Sequence, residues 1–370
     1  MKIVKLPIKT ISKKYNIFLG SNILSKFSSI LKSEKIKFDK CIIIIDKKVP
    51  KKKINLLKKS INCRKKVLYF FNASEKNKNQ AVVDSILKIL FKYNFSRNDC
   101  VVSLGGGITG DISGFAASVY KRGIKFINLP STLLAQVDSS IGGKTGVNNR
   151  FGKNMIGSFY QPDLVVSDTS LLKSLPRREI ICGYGEILKH ALISNSNNFK
   201  FININKKNIL NLNSPFIEKA ILDSCKIKKY VVENDEKEKN HRKVLNFGHT
   251  FAHAFEATKG YSSKLNHGEA VILGIESAVK FSNQLSILNK KQLMEILKHI
   301  ASLNLNIDVK KIFKKNDIKK IVNFMKLDKK NSSQKINLIL LKKIGKTVIN
   351  LNFKIDKIYS FLNQTLVNKI

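Results

Sequence analysis

No apolar run in this sequence approaches the roughly 18 to 20 uncharged residues that a membrane span needs, and the basic start MKIVKLPIKT lacks a signal-type apolar core behind it. A membrane partner is therefore not expected, and the mature protein is expected to be the whole chain, in the cytoplasm. Cysteine is sparse and unpatterned: five residues, at 41, 63, 100, 182 and 225, with no CxxC pair and an odd count. That argues against a disulfide scaffold and a thiolate metal site, and it leaves the five as small hydrophobes of a reducing compartment. Acids are scarce as well, 26 Asp and Glu against 68 Lys and Arg, for a net charge of +42. Such a balance permits a polyanion partner. The lysines, however, recur everywhere, interleaved with Asn and Ile as in KKKINLLKKS and KKIFKKNDIKKIV, and no base-reading or stacking motif accompanies them. No specific nucleic-acid partner follows, although anionic substrates are favoured and their binding should be salt-sensitive.

What is present suffices for two domains: 370 residues, 43 % of them hydrophobic, with no internal repeat. Up to about residue 170, short β-branched runs alternate with helical periodicity: CIIIID, KVLYFF, CVVSL, KFINLP and DLVVSD, with NQAVVDSILKILFKYN among them. Continuous apolar runs of this length predict a parallel sheet covered on both faces. After SLPRRE the strand signal fades and helical patterns take over. The expected architecture is a Rossmann-like α/β nucleotide-binding domain over residues 1–175 and an all-α metal- and substrate-binding domain over 176–370, with Pro176 marking the boundary. The Lys/Asn-rich stretches near 205–214 and 329–337 are expected to be loops.

Strand CVVSL runs into GGGITGDISGFAASVY, which sets Gly105, Gly107 and Gly110 in GxGxxG register where a strand meets a helix. Such a turn lets backbone N–H groups and a helix N-terminus approach a pyrophosphate. The next strand, KFINLP, lacks the acid that would hold an adenosine ribose. Asp46, closing CIIIID, is the candidate instead, or else an ordinary strand-ending acid.

Histidines 249, 253 and 267 fall within GHTFAHAFEATKGYSSKLNHGEAV, which holds half of the chain's six. His249 and His253, four apart, share a helical face, as paired metal ligands must. His267 could add a third ligand and Glu186, an acid on an otherwise apolar helix start, a fourth. Glu256 or Glu269 could supply the carboxylate instead, and His253 could be a hydrogen-bonded core residue. A mixed N/O set of this kind suits a divalent catalytic ion. A polar segment, residues 129–162, carries Asp138, Lys144, Lys153 and Asn154 among many Gly, Ser and Asn. It is expected to be a long functional loop whose ammonium groups suit phosphates or sugar hydroxyls.

Taken in order and spacing, GGGITGDISGFAASVYKRGI, LPSTLLAQVDSSIGGKTGVN, GKNMIGSFYQP, GYGEILKHALI, LNFGHTFAHAFEA and NHGEAV resemble the signature segments of the 3-dehydroquinate synthase family, over roughly residues 40 to 345. The resemblance implies an NAD-dependent, divalent-metal (zinc or cobalt) lyase of the shikimate pathway. It would convert the anionic sugar phosphate 3-deoxy-D-arabino-heptulosonate 7-phosphate to 3-dehydroquinate and phosphate, usually as a homodimer with its active site in the cleft between the domains. Oxidation, phosphate β-elimination, reduction and aldol closure would follow one another, with no net consumption of NAD.

Carried over position by position, the resemblance implies metal ligands Glu186, His249 and His267, with His253 lining the substrate pocket. There it departs from the spacing argument and is preferred to it. NAD contacts fall on Asp46; on Ala73, Ser74, Glu75, Lys76, Asn77 and Lys78; on Gly107, Ile108, Thr109, Gly110 and Asp111; on Ser131, Thr132, Lys144 and Lys153; and on Leu171, Leu172, Lys173 and Ser174. Substrate contacts fall on Arg122, Asp138, Lys144, Asn154, Lys189, Arg242, Asn246, His253 and Lys329 or Lys330. Lys153, Asn246, His253 and Glu186 are the expected catalytic groups. Three positions depart from the family pattern: Ser131 replaces a common Thr, NASEKNK is a loose form of Gly-Glu-Gln-x-x-Lys, and the segment from His249 to His267 is one residue longer than in some relatives. The nearest competing reading is a sister sugar-phosphate cyclase, distinguishable at Arg242, whose guanidinium suits a carboxylate. A metal-dependent alcohol or glycerol dehydrogenase is more distant.

Overall fold

In the computed structural model, residues 3–262, 264–305, 312–327 and 335–367 are described. They form two compact units. The first comprises Met1–Gly183 with Asn208–Lys237, the second Tyr184–Lys207 with Glu238–Ile370.

The first unit is built on a seven-stranded sheet. All five runs singled out above become adjacent parallel strands: β3 (Lys40–Asp46), β4 (Lys65–Phe71), β5 (Cys100–Gly105), β6 (Lys125–Pro130) and β9 (Leu164–Asp168). Their order across the sheet is β4-β3-β5-β6-β9. The sheet continues into β2 (Lys14–Gly20), parallel to β9, and ends on β1 (Val4–Lys9), antiparallel to β2. Period-2 alternation sends Ile43, Ile45, Val102 and Leu104 to one face, against Phe27, Ile30 and Leu57. It sends Ile42, Ile44 and Val101 to the other, against Val83, Ile86, Leu90 and Ala116. Both faces are thus dry, which explains why these strands lack polar alternation. Lys5, Pro7 and Lys9 on the outermost strand discourage further pairing there.

Helix α3 (Gln80–Lys92) starts where the Asn79 side chain accepts the Val82 N–H, and it buries Val83, Ile86 and Leu90 at helical spacing. Helix α4 (Gly107–Val119) follows β5. Helix α7 (Phe216–Asn234), although it follows the boundary expected from the sequence, packs within the first unit. Glu233 and Glu236 at its end accept the Lys9 and Ser12 N–H groups at 2.6 and 3.0 Å, and Glu236 also accepts the Gln161 amide at 2.7 Å.

Residues 129–162 are not a long loop. They contain a short π-helical turn (Ala135–Ser139) and an antiparallel hairpin, β7 (Lys144–Asn149) with β8 (Gly152–Phe159). The hairpin closes because the Asn149 side chain accepts the N–H groups of Phe151 and Gly152 at 2.9 and 3.2 Å, an Asx-type turn.

The second unit is mostly helical, as expected, with one departure: the hairpin β10 (Lys335–Lys343) and β11 (Lys346–Lys354). Helix α5 (Arg177–Ser194) begins directly after Pro176. Helix α6 (Ser196–Leu210) takes in residues 205–210, expected to be loop, because Ile202 and Ile209 supply a buried face. Of the second stretch expected to be loop, residues 335–337 are strand and 329–334 lie outside the described residues. Helices α8 (His249–Thr258), α9 (His267–Gln284), α10 (Lys290–Ala301), α11 (Asp317–Lys326) and α12 (Ile355–Val367) complete the unit. Phe251, Phe255, Phe281, Phe313 and Phe361 meet in a chain of tilted ring contacts at its core. Among the described residues, no helix is long and apolar enough to cross a membrane.

Candidate active site

Two glycine contacts bring three ligand-bearing segments of the second unit together. A Cβ on Gly274 of α9 would lie 2.3 Å from the Gly248 carbonyl, so only glycine lets α8 start against α9. Gly248 itself has φ +78° and turns the chain into His249. A Cβ on Gly185 would lie 2.8 Å from the Gly268 carbonyl, which seats α5 on the start of α9 and sets Glu186 beside His267. The α9 start is fixed by a capping box: Asn266 accepts the Glu269 N–H and Glu269 accepts the Asn266 N–H. Glu269 is thereby engaged in capping.

The donor atoms of Glu186, His249 and His267 all lie within 4.8 Å of one another. His249 turns Nδ1 to the Phe247 carbonyl at 3.3 Å, and His267 turns Nδ1 to Glu256 at 3.0 Å. Both rings consequently aim Nε2 at Glu186 Oε1, at 3.4 and 3.8 Å. Outer hydrogen bonds on Nδ1 with inward Nε2 are the arrangement that metal-binding imidazoles adopt, and they place Glu256 outside the ligand set. Glu186 is 1 % exposed, yet among the described residues neither of its oxygens makes a well-formed hydrogen bond. Around it stand the Lys189 ammonium, the two imidazoles and, within 4.8 Å, a ring nitrogen of His190. A buried carboxylate so placed calls for a cation, and an N₂O donor set suits zinc or cobalt. His253 stands beside the group, its ring 5.3 Å from that of His249 and 6.3 Å from that of His267, and is exposed.

The charges respond accordingly. Burial works to raise the Glu186 pKa, but Lys189 and the two histidines outweigh it and hold the carboxyl well below its usual range. Burial and Lys189 lower His249. For His267 burial is outweighed by Glu256 and Glu186, which push it up to about 10. Also in this unit, Arg242 is 2 % exposed and Asn246 donates to Glu238 at 2.6 Å. Lys329 and Lys330 lie outside the described residues.

In the first unit, β4 and β5 leave β3 in opposite directions, so the carboxyl ends of β3 and β5 flank a topological switch point, where open α/β sheets bind ligands. Asp46 ends β3 there, and the glycine turn leaves β5. A Cβ on Gly105 would lie 2.3 Å from Thr109 Oγ1, and one on Gly110 would lie 3.1 Å from Asn128, so the glycines keep α4 tight on the strands. Among the described residues the buried Thr109 hydroxyl has no hydrogen-bond partner, an orphan that a bound group could satisfy. Ser131 N–H donates to Gly105 O at 2.8 Å, and Thr132 packs beside Gly106. Lys78, 5 % exposed, bonds Asp111 and Asn154. Burial raises the Asp111 pKa, opposed by Lys78. Ser74 caps the short turn Glu75–Asn77, which holds the 73–78 segment against the hairpin. Lys153 pairs with Glu75 at 3.4 Å, and Lys144 starts β7 after Gly142 and Gly143, both at positive φ. Leu171 and Leu172 are buried in a 3-10 turn capped by Asp168, with Lys173 and Ser174 exposed after them.

Arg122 is not brought to this group. It lies in the turn beyond α4, about 20 Å along that helix from the glycine turn. Conversely, Lys228 of α7 was not anticipated: it is buried and donates to Asp138 Oδ1 and O at 2.7 and 2.6 Å. Its signal was available, since Ile221, Cys225, Lys228 and Val232 recur on one helical stripe.

Residues 68–182 match the family described as 3-dehydroquinate synthase N-terminal, and residues 183–331 match 3-dehydroquinate synthase C-terminal. The 3-dehydroquinate synthase of Pelagibacter ubique (strain HTCC1062) is 56 % identical over 366 residues, 99 % of this chain and 100 % of that relative. The chain belongs to the 3-dehydroquinate synthase family. Its fold is shared by 2-deoxy-scyllo-inosose synthase, solved with carbaglucose-6-phosphate, NAD⁺ and Co²⁺ (TM-score 0.87, 25 % identity, 98 % of this chain and 100 % of that one). It is shared too by 2-epi-5-epi-valiolone synthase from Streptomyces hygroscopicus subsp. jinggangensis 5008, solved with NAD⁺ and Zn²⁺ (TM-score 0.83, 22 % identity, 95 % and 96 %).

Proposed function

We propose that the protein is a 3-dehydroquinate synthase, releasing phosphate from 3-deoxy-D-arabino-heptulosonate 7-phosphate and forming 3-dehydroquinate, with NAD⁺ and one zinc or cobalt ion. The observation that carries most weight is the convergence of His249 and His267 Nε2 on the buried Glu186, in a chain that matches the family models over residues 68–331. When bound, NAD⁺ would supply a hydride acceptor and donor, and the metal would supply Lewis acidity toward hydroxyls. Glu186, His249 and His267 hold the metal. Asp46, the glycine turn, the 73–78 segment, Ser131 to Thr132 and Leu171 to Ser174 bind the nucleotide. Lys144 contacts both nucleotide and substrate.

Lys153, a cation on the hairpin, holds phosphate oxygens and also contacts the nucleotide. Asp138, Asn154 and Lys189 orient hydroxyls, with Lys228 fixing Asp138. Arg242 offers a buried bidentate guanidinium to the substrate carboxylate. His253, exposed beside the metal ligands, and Asn246 handle protons during ring closure. Lys329 or Lys330 completes anion binding in this reading, which includes a homodimer, a cytoplasmic location and no specific nucleic-acid partner.

The test is phosphate release from that substrate with catalytic NAD⁺ and Zn²⁺ or Co²⁺, with and without chelator. Chelator-sensitive release without net NADH supports the lyase. Metal and NAD⁺ binding without release moves the assignment to a sister cyclase, and net NADH moves it to a dehydrogenase.

A further inference from the structure

One residue outside every group named so far ties four of them together. Asn148, near the end of β7, directs its backbone N–H and both ends of its side-chain amide to two segments far apart in sequence. Its backbone N–H donates to the Lys78 carbonyl at 2.7 Å. Its side-chain amide donates to the Glu75 carbonyl at 3.1 Å and to Glu75 Oε2 at 2.8 Å. Its side-chain oxygen accepts the Asn154 N–H at 2.9 Å. The other Glu75 oxygen faces Lys153 at 3.4 Å, and the Asn154 side chain accepts from Lys78, which also pairs with Asp111.

We propose that Asn148 is a positioning residue that couples the Glu75–Lys78 turn to the strand bearing Lys153 and Asn154, so that nucleotide-side and phosphate-side groups are ordered as one body. An isolated two-stranded hairpin is marginal by itself; here Val147 and Thr145 seat the hairpin on α4, and Asn148 joins its end to the 75–78 turn. The amide is well chosen, because it must donate to a carboxylate and accept from an N–H at the same time. A carboxylate at 148 could still accept from Asn154 but would face Glu75 with like charge. The functional consequence rests on the reading proposed above, whereas the ordering itself does not.

The test uses the full-length protein with Asn148→Ala, Asn148→Asp, and Asn148→Asp combined with Glu75→Gln, which exchanges donor and acceptor across the same contact. Hydrogen–deuterium exchange without any ligand should show faster exchange of residues 74–78 and 152–156 together in both single variants, with the rest of the sheet unchanged. NAD⁺ affinity by titration calorimetry should fall about tenfold in each single variant, the effect of losing one or two charge-assisted hydrogen bonds. The substrate KM should rise more than kcat falls, and the double variant should recover a substantial part of the NAD⁺ affinity. Faster exchange of only one segment, or a double variant no better than Asn148→Asp, overturns the coupling. Wild-type protein that binds no NAD⁺ removes the functional reading instead, and the exchange data still decide the coupling.

Discussion

The two units hold their chemical groups by different means. In the helical unit the three converging ligands are placed by backbone against backbone: Gly274 against Gly248, and Gly185 against Gly268, each too close for a Cβ. In the α/β unit the glycine turn is set the same way, but Glu75, Lys78, Lys153 and Asn154 ride on a short turn and a hairpin joined through side-chain hydrogen bonds. Packing of the first kind yields little to changes of solvent, whereas a polar clasp depends on each partner being in the right protonation state and rotamer. The metal half should therefore be rigid and respond sharply to steric change, and the nucleotide half adjustable and responsive to charge.

The largest effect that would sharpen this contrast is expected from Glu186→Gln. It keeps shape but removes the charge that the imidazoles face, so phosphate release should drop by at least about 10³-fold, roughly 4 kcal/mol of transition-state stabilisation. Metal analysis should find the ion lost. NAD⁺ affinity, measured separately, should hold; if it collapses as well, the two halves are not independently built.

Next in size is an acid response confined to the helical unit. His299 of α10 is 1 % exposed, with Nε2 3.0 Å from the Tyr184 hydroxyl and Nδ1 2.8 Å from Asn203 Oδ1. Burial, with Lys206 nearby, lowers its pKa to about 4. Between about pH 6.5 and 4 the unfolded chain binds the proton and the native one does not. Stability should thus be full above 6.5 and fall by about 3 kcal/mol as pH drops to 4. Urea melts at pH 4.5, 5.5 and 7.0 measure this, and His299→Gln should flatten the acid limb. An unchanged limb in that variant would assign the acid response elsewhere.

A smaller loss is expected from Gly274→Ala. The added Cβ meets a backbone carbonyl that no side-chain rotation can move, so stability should fall by about 1–3 kcal/mol. Zinc affinity should weaken because His249 starts the displaced helix, and nucleotide binding should stay put. Full retention of zinc affinity would mean that the glycine contact does not set the ligand geometry.

Much of this arrangement was legible before any coordinates. Strands β3, β5, β6 and β9 stood out because each is an apolar run buried on both faces, and such runs have few alternatives; β4, at the sheet edge and only half-buried, stood out by its apolar run alone. The candidate metal ligands could be narrowed but not selected: helical spacing favours His249 with His253, whereas the rings that turn Nε2 toward Glu186 are those of His249 and His267. The β7–β8 hairpin was hidden because its strands are rich in Gly and Asn and its closure depends on one Asx turn. Lys228 was masked by composition: where lysine occupies nearly every surface position, one on a buried stripe draws no notice. The β10–β11 hairpin lies in a lysine-flanked stretch after a long helical region, where its alternation is obscured in the same way.

The interleaving of the units also bears on how the chain is made. Helix α7 belongs to the first unit but is synthesised after residues 184–207, which belong to the second. The amino-terminal hairpin, pinned by Glu233 and Glu236, must therefore wait on the ribosome for roughly 50 residues beyond Gly183, about 3–10 s at ordinary translation rates. During that interval the outermost strand pair lacks its fastening, so the growing chain offers a chaperone a defined window. A synonymous codon change that slows translation near residue 210 would prolong it without altering a single atom of the finished protein.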